Sequence, residues 1–185
     1  MRKQWAVGAA VVAMTAAVMS GTAGSATAEG PAGAAPRSIV AQQFTLRLLS
    51  DDKQVANVQG AGTADGVPII QYPWSGRSNE RWELDSALGG YYRIKSVSSG
   101  KCVNVEGGGN ANATRVIQYT CGTSDNELWK FVPVGSGYQV VVKSSGKCLN
   151  VAGGVGVGHG LIQYDCVAGG APNDVWLPVW EPNNL

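Results

Sequence analysis

The chain has one histidine and two phenylalanines in 185 residues. A Ser–His–acid relay would have to use that histidine, His159. It lies in the glycine-rich stretch from Gly153 to Gly160, where a surface-loop role fits it best, and no G-x-S-x-G elbow occurs anywhere. The cysteines form no C-x-x-C pair, so nothing suggests zinc. The glycine-rich stretches lack the Lys-Ser/Thr ending and following helix of a phosphate loop. Basic residues are scattered, without the stripe that phosphate neutralisation needs, which argues against nucleic acid. The longest apolar run, Trp5 to Met19, is about 15 residues and falls short of the ~20 a spanning helix needs. Helical periodicity is also missing, which leaves an all-β reading.

The first 28 residues have a separate role. Arg2 and Lys3 precede the apolar run, and small residues lead to Ala26-Thr27-Ala28. This is the pattern of a secretory signal cut before Glu29, and its alanine-rich character looks bacterial. The expected mature chain, 29–185, has 12 basic against 13 acidic residues once Arg2 and Lys3 are removed. That length suits one domain. Residues 29–40 are mostly Gly, Ala and Pro and read as a disordered leader. Secretion places the protein outside the cell.

The rest of the chain is one unit written three times. Asn79-Glu80-Arg81-Trp82, Asn126-Glu127-Leu128-Trp129 and Asn173-Asp174-Val175-Trp176 recur with tryptophans 47 residues apart. Ile-Gln-Tyr precedes each (Ile70-Gln71-Tyr72, Ile117-Gln118-Tyr119, Ile162-Gln163-Tyr164), and Asn-Val lies further upstream (Asn57-Val58, Asn104-Val105, Asn150-Val151). Such a period marks repeated supersecondary units that close a common core only together. The repeats run at about 41–87, 88–134 and 135–181. Each opens with a β-type segment: Phe44–Leu48, Tyr91–Lys95 and Gly137–Val142. A turn follows at Asp51-Asp52-Lys53, Ser99-Gly100-Lys101 or Ser145-Gly146-Lys147. Short β-rich runs between glycine turns indicate an all-β barrel or sandwich. Trp82, Trp129 and Trp176 are expected in its core, and the stretch from Trp180 onward reads as a tail.

All four cysteines occupy matching places in the second and third repeats. Four cysteines allow three pairings, and repeat equivalence favours Cys102–Cys121 and Cys148–Cys166. The first repeat has Val55 and Trp74 at those places, so packing alone should hold its loop.

Together these residues resemble the ricin-type β-trefoil lectins. That family has three repeats of about 40–47 residues, each with a Cys-x-Asp-Val-like strand. An aromatic residue lies two before a second cysteine, and an Asn-Gln-x-Trp ending (the Q-x-W motif) closes the repeat. Matching stretches are Lys101–Val105, Gln118–Cys121 and Asn126–Trp129, and in the third repeat Lys147–Val151, Gln163–Cys166 and Asn173–Trp176. The resemblance implies a β-trefoil over residues 41–181 and a secreted, non-catalytic, monomeric lectin without metal or cofactor. The implied partners are galactose-, xylose- or arabinose-type glycans. Sugar sites would use Asn57, Tyr72 and Asn79; Asn104, Tyr119 and Asn126; and Asn150, Tyr164 and Asn173. The ring of each tyrosine would stack on the C–H face of a sugar while the amides meet its hydroxyls.

The chain departs from the family pattern in every repeat. The family's Asp is Asn57, Asn104 or Asn150, which offers one acceptor and a donor in place of a carboxylate. The Gln of Q-x-W is Glu80, Glu127 or Asp174, which must find donors or stay solvated. Ile70, Ile117 and Ile162 stand where a sugar-contacting Gln is usual. Strand alternation leaves two arrangements open: Tyr outward with Gln turned away, or Gln outward with Tyr packed inside. The substitutions also support an alternative function, a trefoil that has lost sugar binding and serves as a protein-interaction scaffold or secreted inhibitor.

Overall fold

The computed structural model describes residues 42–181. The signal (1–28), the leader (29–40) and Pro182–Leu185 lie outside the described residues. Twelve strands occur in chain order: β1 Gln43–Leu48, β2 Asp51–Val58, β3 Ile69–Pro73, β4 Trp82–Ser86, β5 Tyr92–Ser96, β6 Cys102–Val105, β7 Thr114–Tyr119, β8 Trp129–Val134, β9 Gly137–Val142, β10 Cys148–Val151, β11 Leu161–Tyr164 and β12 Trp176–Trp180. Each repeat supplies four. The only helices among the described residues are five 3-10 turns of three residues each.

The pairing closes a barrel. Antiparallel neighbours run β1–β4–β5–β8–β9–β12 and back to β1, a ring of six strands, two from each repeat. The remaining strands form three hairpins, β2–β3, β6–β7 and β10–β11, which meet across one end of the ring. This is a β-trefoil, and its closure removes the free edges of the barrel sheet.

Side-chain alternation explains the core. Cross-strand partners project to the same face, so Val58↔Ile69, Val105↔Val116 and Val151↔Leu161 bring three equivalent apolar pairs inward, all of them buried. Trp82, Trp129 and Trp176 are also buried, as their spacing suggested. Each indole N–H donates to a backbone carbonyl of its own repeat: Ala56 at 3.3 Å, Val103 at 2.8 Å and Leu149 at 2.9 Å. A buried tryptophan needs such a partner, and here the bond ties the end of each repeat to its second strand.

The disulfides are Cys102–Cys121 and Cys148–Cys166. At the turns closed near them, Gly100 and Gly146 have φ of 68° and 70°, left-handed values that glycine adopts without strain. Three expectations are corrected, two in the first repeat and one at the end of the third. Asp51-Asp52-Lys53 belongs to β2, because a bulge between Arg47 and Leu48 moves the turn to Leu49-Ser50. The first repeat's loop is held by more than apolar packing: the Arg47 and Arg81 guanidiniums lie 5.3 and 5.8 Å from the Trp74 ring centroid, and the Trp74 amide donates to Lys53 at 2.8 Å. Trp180 and Glu181 are not a tail. Trp180 ends β12 opposite Phe44, with ring centroids 5.1 Å apart, and the Glu181 amide donates to Gln43 at 2.9 Å.

Candidate functional site

The hairpins carry the candidate sites. Asn57↔Ile70, Asn104↔Ile117 and Asn150↔Ile162 are cross-strand partners, as are Val55↔Tyr72, Cys102↔Tyr119 and Cys148↔Tyr164. Asn, Ile and Tyr therefore share the face opposite the core. Tyr72, Tyr119 and Tyr164 are exposed (45%, 48% and 45%), whereas Gln71, Gln118 and Gln163 between the Ile and Tyr are fully buried. Of the two arrangements left open by the sequence, tyrosine outward is the one observed.

Clefts form beside these tyrosines. The first repeat has one of about 500 Å³, lined by Asn57, Ile70, Tyr72, Arg77 and Asn79, with Gly158 of the third repeat on its rim. The second has one of about 470 Å³, lined by Asn104, Ile117, Tyr119 and Asn126, with Asp65 and Gly66 of the first repeat. Both are of small-ligand size. In the third repeat Asn150 and Asn173 are joined by a hydrogen bond, and Tyr164 stands two residues beyond Ile162 on the same face.

The paired asparagines have a defined polarity. Asn79, Asn126 and Asn173 each donate Nδ2–H to a backbone carbonyl, Val58 at 2.9 Å, Val105 at 2.8 Å and Val151 at 3.0 Å. A carbonyl only accepts, so this contact fixes which way each amide faces. The same Nδ2 donates to Oδ1 of Asn57, Asn104 or Asn150 at 3.1, 2.9 and 2.7 Å. Those three asparagines therefore turn Nδ2 away from the pair. In the first repeat, Asn57 Nδ2 donates to Glu80 at 3.1 Å, and Asn79 Oδ1 is sealed from solvent without a partner. In the second and third, the Nδ2 of Asn104 and Asn150 has no protein partner among the described residues, and neither atom is sealed from solvent.

The carboxylates that replace the family's Gln are buried and saturated with donors. Glu80 accepts from the Ser75 amide (2.9 Å), the Ser75 hydroxyl (2.7 Å) and the Arg77 amide (3.2 Å). Glu127 accepts from the Gly122 amide and from Arg93 Nε, both at 2.9 Å. Asp174, one methylene shorter, accepts from Gln139 Nε2 (3.0 Å) and the Val167 and Ala171 amides (3.2 and 2.6 Å). In each case the acid pins the loop after the tyrosine against the Trp motif.

Sequence reasoning missed the role of the glutamines. Gln118 donates to Gly62 and Ala64 of the first repeat at 2.8 and 2.9 Å, and Gln163 to Gly109 and Ala111 of the second at 2.7 and 2.9 Å. Gln71 accepts from the Gly156 amide of the third at 3.0 Å, which completes the cycle. Only their recurrence beside each tyrosine could have signalled it. At the same seams Asp65 of the first repeat pairs with Lys101 of the second, and Asp165, paired with Lys147 of its own repeat, accepts from Asn112 of the second. Lys101, aided by Thr120, holds the Asp65 carboxyl below the usual carboxylate range, and Lys147, aided by Asn112, does the same for Asp165. Among the described residues no cluster of three or more His, Cys, Asp or Glu could hold a metal, and no helix is long and apolar enough to cross a membrane.

A closed threefold barrel with Q-x-W-like endings and an exposed tyrosine on each hairpin defines a trefoil of the lectin class. The family model described as "Ricin-type beta-trefoil lectin domain-like" matches residues 38–119, 78–164 and 125–184, and the chain belongs to that family. No curated protein matches the chain. Among solved structures it is similar to ThreeFoil, a designed threefold-symmetric protein, with 34% identity over 74% of this chain and 97% of that one (TM-score 0.70). It is also similar to an exo-β-1,3-galactanase from Clostridium thermocellum, with 25% identity over 76% of this chain (TM-score 0.71). The match spans 30% of that enzyme. The C-half of an earthworm R-type lectin, solved in complex with GalNAc, shares the fold at 15% identity over 76% of this chain and 99% of that one (TM-score 0.60).

Proposed function

We propose that the protein is a secreted, extracellular, monomeric lectin that binds carbohydrate without catalysis, through up to three weak sites, one per repeat. The observation that carries this reading is the thrice-repeated placement of an exposed tyrosine beside a hydrogen-bonded asparagine pair. A pyranose has one face of C–H groups and a rim of hydroxyls, and an aromatic plate next to amides suits both. Family membership supports the same reading. The likeness to part of a galactanase, and to a lectin solved with GalNAc, supports galactose-type ligands ahead of xylose- or arabinose-type ones. The two disulfides suit an oxidising, extracellular setting.

The second and third repeats are the stronger candidates, because their asparagine pairs keep an open Nδ2 donor while the pair in the first is bonded or sealed. Shallow polar clefts of this kind give single-site affinities of about millimolar. Several sites on one rigid body raise the apparent affinity for a multivalent polysaccharide. The recurrent acids Glu80, Glu127 and Asp174 are occupied in holding loops and sit in separate repeats, so no acid–nucleophile pair faces a common substrate. The test is retention on insoluble polysaccharide competed with free sugar. Competition that disappears in Tyr119→Ala and Tyr164→Ala supports the lectin. Retention that ignores sugar supports the interaction scaffold instead.

A further inference from the structure

The second-repeat cleft differs from the family pattern in sign as well as in residue. An aspartate opposite Asn126 would accept the Asn126 Nδ2–H bond and leave a second carboxylate oxygen facing the cleft, an acceptor carrying negative charge. Asn104 keeps the acceptor, bonded to Asn126 at 2.9 Å, and its Nδ2 has no partner among the described residues at the wall of the cleft it lines. The polar floor of the cleft is thus changed from acceptor to donor, and it loses a charge. The nearby carboxylates are each matched by a cation: Glu127 by Arg93 at 2.9 Å, Asp65 by Lys101 at 2.7 Å, and Glu106 by Arg115. In the third repeat Asp174 has no such cation and is held by amide donors alone among the described residues. An anion entering the second cleft meets a free donor, an aromatic plate and no uncompensated carboxylate.

We propose that the second-repeat cleft selects a sugar unit bearing a hydrogen-free anionic oxygen, a carboxylate or sulfate ester, seated on Asn104 Nδ2 with the ring on Tyr119. This rests on the lectin reading and deepens it by naming the ligand class. A neutral hydroxyl can also accept from Nδ2–H, so neutral sugars bind, but an ionised acceptor makes the stronger bond. The same anion over an aspartate would be repelled. Asn104 is in this sense the residue that sets the preference.

The test is a site-resolved NMR titration of the disulfide-intact protein at neutral pH, with galactose, galacturonate and galactose 6-sulfate as probes. Resonances of Asn104 and Tyr119 report the second cleft, and those of Asn150 and Tyr164 the third. The expected result is a preference for at least one anionic probe over galactose of about two- to fivefold at the second cleft. The carboxylate and sulfate arms show which anion carries it. In Asn104→Asp, which keeps the bond from Asn126 and the side-chain volume, the preference should reverse. Near-UV circular dichroism of that variant checks its fold. Equal or stronger binding of galactose at the second cleft of the unaltered protein overturns the proposal and leaves the lectin reading intact. No response at the second cleft to any probe also overturns the proposal, and no response at either cleft further removes galactose-type ligands from the lectin reading.

Discussion

Gln163 and Tyr164 are adjacent, and the fold assigns them opposite consequences. Gln163 is fully buried; its Nε2 donates to Gly109 and Ala111, and its Oε1 accepts from Ser145 Oγ at 2.7 Å. Gln163→Ala removes three hydrogen bonds and opens a small void. The two carbonyls belong to a surface loop and can rehydrate, so each bond is worth about 0.5–1.5 kcal/mol. With the lost packing, a destabilisation of about 2–4 kcal/mol follows. For a domain of this size that lowers Tm by about 10 °C. Tyr164 is half-exposed and its hydroxyl makes no hydrogen bond within the described residues, so Tyr164→Ala should cost about 1 kcal/mol or less. That variant should instead lose sugar binding at the third repeat. Thermal unfolding with a sugar titration of both variants measures the contrast. A stable Gln163→Ala together with an unfolded Tyr164→Ala would mean that the strand faces are assigned the wrong way round.

Other outcomes follow from the same structure. Trp129→Ala, which removes a buried ring and orphans the Val103 carbonyl, should destabilise by about 3–5 kcal/mol in denaturant titration. Removing Cys148–Cys166 should cost about 3 kcal/mol on the chain-entropy model, seen as a lower denaturation midpoint after paired Cys→Ala replacement. Asp65 and Asp165 have depressed folded-state pKa values, so their contribution is complete above the usual carboxylate pKa and lost as pH falls through the lower folded value. Acid titrations of Asp165→Asn should therefore show a shallower loss of stability at low pH than the unaltered protein, and added salt should narrow the difference.

The fold was legible because its signals repeat. Tryptophans 47 residues apart, matching cysteine pairs and a recurring Ile-Gln-Tyr strand each carry the same message three times. What was not legible depends on long-range partners. The direction of the Asn104 amide is set by the Val105 carbonyl through Asn126, 22 residues away, and nothing local to Asn104 shows it. Gln118 finds its acceptors 54 and 56 residues upstream, across a repeat boundary, so its burial could not be separated from that of Tyr119 by pattern alone. Trp74 read as a bare replacement for cysteine because Arg47 reaches it from β1 and Arg81 from the residue before β4. The first repeat gave the most misreadings, at its turn and its loop, because it departs furthest from the shared pattern.

The central claim is that the exposed tyrosines are sugar platforms. The most direct measurement is a glycan and polysaccharide binding screen of the disulfide-intact protein beside Tyr119→Ala, Tyr164→Ala and the double variant, each checked for folding by near-UV circular dichroism. Binding should weaken in each single variant and be largely lost in the double. A folded protein that binds nothing on the panel, or binds equally well without both rings, contradicts it.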